Sequence, residues 1–133
     1  GTASIPNDDT IPQISEGTQF VSLAISPTSS LNAICAETRG LFTTNAAGEY
    51  ITMALYNGAT DSIACSVSSQ NGADPQLQPL YDQRVGGTTS PITYTVRAGT
   101  ASGANATYFN GWSAGRQRGG VMNSYLRLDE IFV

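Results

Sequence analysis

Apolar residues recur at every second position along most of this chain, and turn-forming clusters break the runs at short intervals. A period of two places successive side chains on opposite faces of an extended strand. In "QFVSLAI", Val21, Leu23 and Ile25 alternate with Phe20, Ser22 and Ala24. "LNAICAETRGLF" sets Ile34 and Ala36 against Ala33 and Cys35, and "EYITMALYNG" sets Ile51, Met53 and Leu55 against Thr52, Ala54 and Tyr56. "TDSIACSVSS" offers Ile63, Cys65 and Val67 as one face. "LQPLYDQRV" is interrupted by Pro79, which suits an edge strand because proline cannot donate to a ladder. "ITYTVRAG" and "SYLRLDEIFV" complete the pattern, with "NATYFNG" as a short run between them. Asn57-Gly58 reads as a tight hairpin turn, since both residues tolerate positive φ. No stretch carries a helical period.

About eight strands with regular turn signals predict an all-β fold, a jelly-roll-like sandwich of antiparallel strands. Its 133 residues fit one domain, and a globule of this size hides roughly two-thirds of its unfolded surface. The expected division is an extended N-terminal arm over residues 1–18 and a sandwich over 19–133. Pro6 and Pro12 restrict the arm to extended conformations. Its Ile5, Ile11 and Ile14 can enter apolar grooves, and its Asp8 and Asp9 can meet basic groups. Two placements are open at this point: across onto a neighbouring protomer or capsid, or back onto its own domain as an edge strand.

Only 12% of the residues are charged, and the net charge is −4. That balance argues against a nucleic-acid partner, which calls for a basic field. No apolar run reaches the ~18 residues of a membrane span, and no signal peptide is visible. All six basic residues are arginine, with no lysine and no histidine. The chain therefore has no Ser-His-Asp or Cys-His arrangement, no histidine metal ligand, no Schiff-base lysine and no P-loop. Carboxylates alone remain, and no spacing among Asp8, Asp9, Asp61, Asp74, Asp82, Asp129 and Glu130 selects a catalytic pair. The expectation is a non-enzyme without cofactor or metal. Asp8-Asp9-Thr10 lacks the loop spacing of a calcium site and reads as turn closure. Cys35 and Cys65 lie in strand-like runs and read as buried free thiols, with a disulfide as the alternative.

Low charge, arginine without lysine, and abundant tyrosine suit a surface that meets other protein. Tyr50, Tyr56, Tyr94 and Tyr125, with Arg97 and Arg127, are the expected oligomer-interface residues. Tyr81, Tyr108, Trp112, Arg116 and Arg118, with loops 70–76 and 99–105, are the candidates for a receptor-facing end. "GRQRGG" has the look of an RNA-binding RGG segment, but one short copy in an acidic β-protein reads better as a glycine-rich crossover.

The order of these motifs resembles bacteriophage virion proteins, above all the C-terminal module of tail fibres. "IPNDDTIPQISEGTQF" is similar to the family's opening phrase, "LAISPTSSLN" to its first strand and turn, and "MALYNG" to its central hairpin strand. "TTSPITYTVRAGT" resembles the strand before a variable loop, and "YFNGWSAGRQRGGVMNSYLRLDEI" the closing run. The resemblance covers nearly the whole chain. It implies a jelly-roll sandwich, a homotrimer and a place on the virion after assembly in the host cytoplasm. It carries no catalytic set. No coiled coil or β-helix shaft precedes the motif in this chain. The expectation is therefore a capsid decoration protein that binds the major capsid protein. The alternative is a fibre or spike tip that binds a host receptor or surface glycan.

Overall fold

The computed structural model describes residues 1–71, 74–113 and 115–133. Among these described residues are ten strands: β1 (Thr18–Ile25), β2 (Ala33–Thr44), β3 (Tyr50–Tyr56), β4 (Ala64–Ser69), β5 (Gln76–Val85), β6 (Ile92–Thr100), β7 (Thr107–Phe109), β8 (Gly111–Trp112), β9 (Gly115–Arg116) and β10 (Tyr125–Ile131). The first sheet runs β1-β6-β3-β4, and the second runs β10-β2-β5, with β7 continuing beside the far end of β2. Every pairing is antiparallel. The fold is an all-β sandwich. Among the described residues no helix is long and apolar enough to cross a membrane.

The core forms where the inner faces meet. Ile34, Ala36 and Phe42 of β2 and Leu80 of β5 pack against Ile51, Met53 and Leu55 of β3 and Tyr94, Val96 and Ala98 of β6. Removing such apolar area from water supplies the main driving force for folding. Phe20, Phe42 and Phe109 form a triangle with ring centroids 5.2–5.3 Å apart, tying β1, β2 and β7 together. Phe20 reaches this triangle because β1 bulges between Gln19 and Val21. The extra residue lets Phe20 share the inner face with Val21, where strict alternation would have separated them.

Strand β4 inverts its expected phase. Cys65 and Val67 are exposed, and Ser66 and Ser68 turn toward the buried Gln78. Ser66 donates to Gln78 Oε1 at 2.9 Å, and Gln78 Nε2 donates to Ser68 Oγ at 2.8 Å and to the Ile51 carbonyl at 3.3 Å. This side of the sandwich is sealed by hydrogen bonds, so the phase of β4 follows polar satisfaction in place of apolar content. The connection before β4 also differs from a two-residue hairpin. Gly58 adopts φ +88°, but the loop runs from residue 57 to 63, and Thr60, Asp61 and Ser62 pair with the arm.

That arm lies on its own domain, over the outer face of the first sheet. Ile14 N donates to the Thr60 carbonyl at 2.7 Å, Ser62 N to the Pro12 carbonyl at 2.9 Å, and Ile5 N to the Thr100 carbonyl at 3.1 Å. Gly17 N, at φ +63°, donates back to the Ser4 carbonyl at 2.8 Å and closes the arm into a loop. Ile5 is fully buried with Ala54 and Tyr56, and Ile14 packs beside them. This second small core explains why β3 is buried on both faces. Gly99 permits the close approach, since a Cβ there would sit 2.5 Å from the Ala3 carbonyl oxygen.

Candidate docking surface

The arm covers the β3 part of the first sheet and leaves Cys65 and Val67 of β4 exposed, while the outer face of the second sheet carries no such cover. Alternation along β2 buries Ile34, Ala36 and Thr38 and turns Cys35, Glu37 and Arg39 outward. Register then aligns rows across three strands. Tyr125, Arg39 and Pro79 form one row and Arg127, Glu37 and Tyr81 the next. Asp129, Cys35 and Gln83 follow, then Ile131, Ala33 and Val85. Tyr81 is 59% exposed and Val85 60%, whereas Leu80, one step from Tyr81, is buried in the core.

A shallow cleft of about 330 Å³ lies among Glu37, Thr38, Arg39, Pro79, Leu80, Tyr81 and Tyr125. Its side chains hold one another in place. Tyr125 donates its hydroxyl to Glu37 Oε1 at 2.7 Å, and the Arg39 guanidinium stands 5.3 Å from the centroid of the Tyr125 ring. The bond to Glu37 holds the Tyr125 hydroxyl above its ordinary pKa, because it favours the protonated phenol. Arg39 also donates to Asn123 Oδ1 at 3.3 Å, while its Nε is buried without a partner among the described residues. An arginine against one tyrosine ring, with a second tyrosine lining the same cleft, is the composition that protein interfaces favour. Arg127 pairs with Asp129 on the same face at 2.7 Å.

The expected interface residues divide. Tyr125 and Arg127 lie on this face, and Tyr50 is 44% exposed at the start of β3. Tyr56 and Tyr94 are instead buried in the interior, at 0% and 1% exposure, and have no surface to offer a partner. Arg97 is occupied within the chain, donating from Nε to the Glu16 carbonyl at 2.7 Å and from Nη2 to the Gly17 carbonyl at 2.8 Å. Within the arm, Ile5, Pro12 and Ile14 face the domain, whereas Pro6, Asp8, Asp9 and Ile11 face outward. Asp8 Oδ1 accepts from Thr10 N at 2.8 Å and Thr10 Oγ1 at 2.6 Å, which closes the turn and lowers the carboxyl pKa. A cleft of about 390 Å³ separates this turn from Ser62–Cys65.

The receptor-facing candidates do not converge on one point. Tyr81 lies mid-face on β5. Tyr108 is half-buried on β7, opposite Thr43, and Trp112 and Arg116 lie on the β8–β9 ribbon. Arg118 is exposed just beyond it, at φ +53°. Gly72 and Ala73 of loop 70–76, and Ala114 of the ribbon, lie outside the described residues. The cysteines are free and not buried: Cys35 is half-buried on the second sheet and Cys65 exposed on the first. Both point outward, because each occupies the solvent side of its strand's alternation. Glu37 and Arg39 were not singled out from sequence, and Pro79 was read only as the mark of an edge strand. Their alternation was visible, but which strands flank β2 was not. No family model matches the chain, and no curated protein matches it either.

Proposed function

We propose that this chain is a structural module of a bacteriophage particle, a homotrimeric decoration protein of the capsid surface that works by docking and not by catalysis. The observation that carries the docking role is the contrast between the two sheets. The chain's own arm covers the β3 part of one outer face, leaving Cys65 and Val67 of β4 open beside it, whereas the other face presents Tyr81, Tyr125, Arg39 and Arg127 with no arm over them. The phage setting is supported by the order of motifs from "IPNDDTIPQ" to "LRLDEI". Because Ile5 and Ile14 are engaged in cis, contact with the major capsid protein passes to the open face and to the exposed turn at Asp8 and Asp9. Modest contacts would hold through avidity when several copies bind a repeating shell.

Copy number tests the proposal. Quantitative mass spectrometry of purified particles should find this chain at hundreds of copies in the head. Its absence from particles would overturn the reading. A handful of copies would move it to the tail. That second reading, a fibre or spike tip, draws support from Trp112, 42% exposed on a ribbon that also carries Arg116. Aromatic and arginine side chains together suit a glycan or receptor. Glycan binding lost in Trp112→Ala, or phage adsorption blocked by purified protein, would favour the tip.

A further inference from the structure

Among the described residues the two main sheets end in four strands, β1, β4, β5 and β10, and an unprotected edge invites another strand to pair with it. Three of the four are guarded by the backbone or the arm. Strand β1 is bulged at Gln19/Val21. Strand β5 contains Pro79. Strand β4 has the arm beside it, forming clefts with Cys65, Ser66 and Val67. Strand β10 has no bulge, proline or covering arm, and pairs with β2 through seven consecutive residues; its guard is charge, Arg127, Asp129 and Glu130, which repels strands that cannot match it.

We infer that β10 is a two-fold docking edge, on which a second copy of this chain adds its own β10 antiparallel and extends the second sheet across two molecules. The argument is the symmetry of Tyr125–Ile131, "YLRLDEI". Centring an antiparallel pair on Leu128 sets Arg127 opposite the other copy's Asp129, twice. It also sets Tyr125 opposite the other copy's Ile131, twice. All four residue types share the outer face. Directly opposed strand positions bring Cβ atoms within ~5 Å, close enough for opposite charges and aromatic–aliphatic pairs to stabilise the contact. Arg127 already pairs with its own Asp129 at 2.7 Å. Two copies would then form a square of four charges with alternating sign. This charge complementarity is with itself, so the occupant is a second copy and not an unrelated strand. Leu128 meets Leu128 at the axis, on the inner side.

The contact deepens the assembly reading above but does not need the virion as its setting. Sedimentation equilibrium of the full chain should show mass doubling in the micromolar range, monomer to dimer or, where the proposed trimer also forms, trimer to hexamer. Arg127→Asp puts four carboxylates at the centre and should raise the dissociation constant about tenfold or more. The double variant Arg127→Asp with Asp129→Arg restores opposite pairing and should restore the dimer. Circular dichroism controls for folding, which these exposed side chains do not support. A protein that stays monomeric, or self-association that Arg127→Asp leaves unchanged, overturns the β10 contact. A trimer insensitive to both variants overturns it too, while leaving the decoration reading standing. Dimers without incorporation into particles would do the reverse.

Discussion

The Tyr56 hydroxyl donates to the Gln13 carbonyl at 2.9 Å, joining the last residue of β3 to the arm that covers it. Burial pushes the Tyr56 pKa up to about 12, with the nearby Glu16 charge adding to the rise. A raised phenol pKa means the fold favours the protonated form. That stability is fully present below the ordinary value of 10 and is lost as pH climbs through about 12. Tyr56 should therefore ionise last among the tyrosines in an ultraviolet titration. Tyr56→Phe should remove that final step and cost about 1 kcal/mol in urea denaturation at neutral pH.

The arm's anchorage can be separated from the sandwich. Ile5→Ala removes a fully buried side chain and should cost about 2–4 kcal/mol. Gly99→Ala would press a methyl group to 2.5 Å from the Ala3 carbonyl oxygen and 2.7 Å from Ile5 N. Both variants should expose residues 1–17 to limited proteolysis while the remaining chain resists. Cleavage spread evenly along the chain would show that arm and sandwich unfold as one unit.

Acid should loosen the fold through two clamps. Glu130 Oε1 accepts from Thr28 N at 2.6 Å, Thr28 Oγ1 at 2.9 Å and Asn32 Nδ2 at 2.7 Å, and the Asn32 bond leads in lowering its pKa. Glu49 is lowered chiefly by Asn105, which donates to Oε2 at 2.9 Å. A lowered carboxyl pKa contributes stability above the ordinary value of 4.5, lost as pH falls through the folded-state value. Denaturant midpoints should hold steady from pH 7 to about 5 and fall below 4.5. Glu130→Gln should flatten part of that fall, and an unchanged acid limb would remove Glu130 from the account.

Thiol chemistry reports the strand phases. Cys65 is exposed and Cys35 half-buried, on different sheets. A maleimide or disulfide reagent should modify Cys65 quickly in the native protein and Cys35 more slowly. Oxidation should produce no intramolecular bridge. Equal slow reaction of both would mean that β4 keeps Cys65 inside after all.

Much of the fold was legible along the chain because period-two alternation and turn residues are local properties. The long strands, the edge character of the Pro79 strand and the turn-closing role of Asp8 follow from neighbours a few residues apart. The phases of β1 and β4 were not legible. Phe20 turns inward only because of a bulge against β6, and Ser66 and Ser68 turn inward only because Gln78 arrives from β5.

The surface divided in the same way. Sequence by itself determined that the chain is a low-charge β-protein with six tyrosines, whose six basic residues are all arginine. Tertiary structure alone decided which of those residues remain available. Tyr56 and Tyr94 went to the interior, and Arg97 to the carbonyls of Glu16 and Gly17. Arg39, Tyr81, Tyr125 and Arg127 were left on one open face. The reason is that exposure depends on which strands become neighbours and where the arm comes to rest. Both are settled by contacts between residues tens of positions apart, which no local pattern encodes.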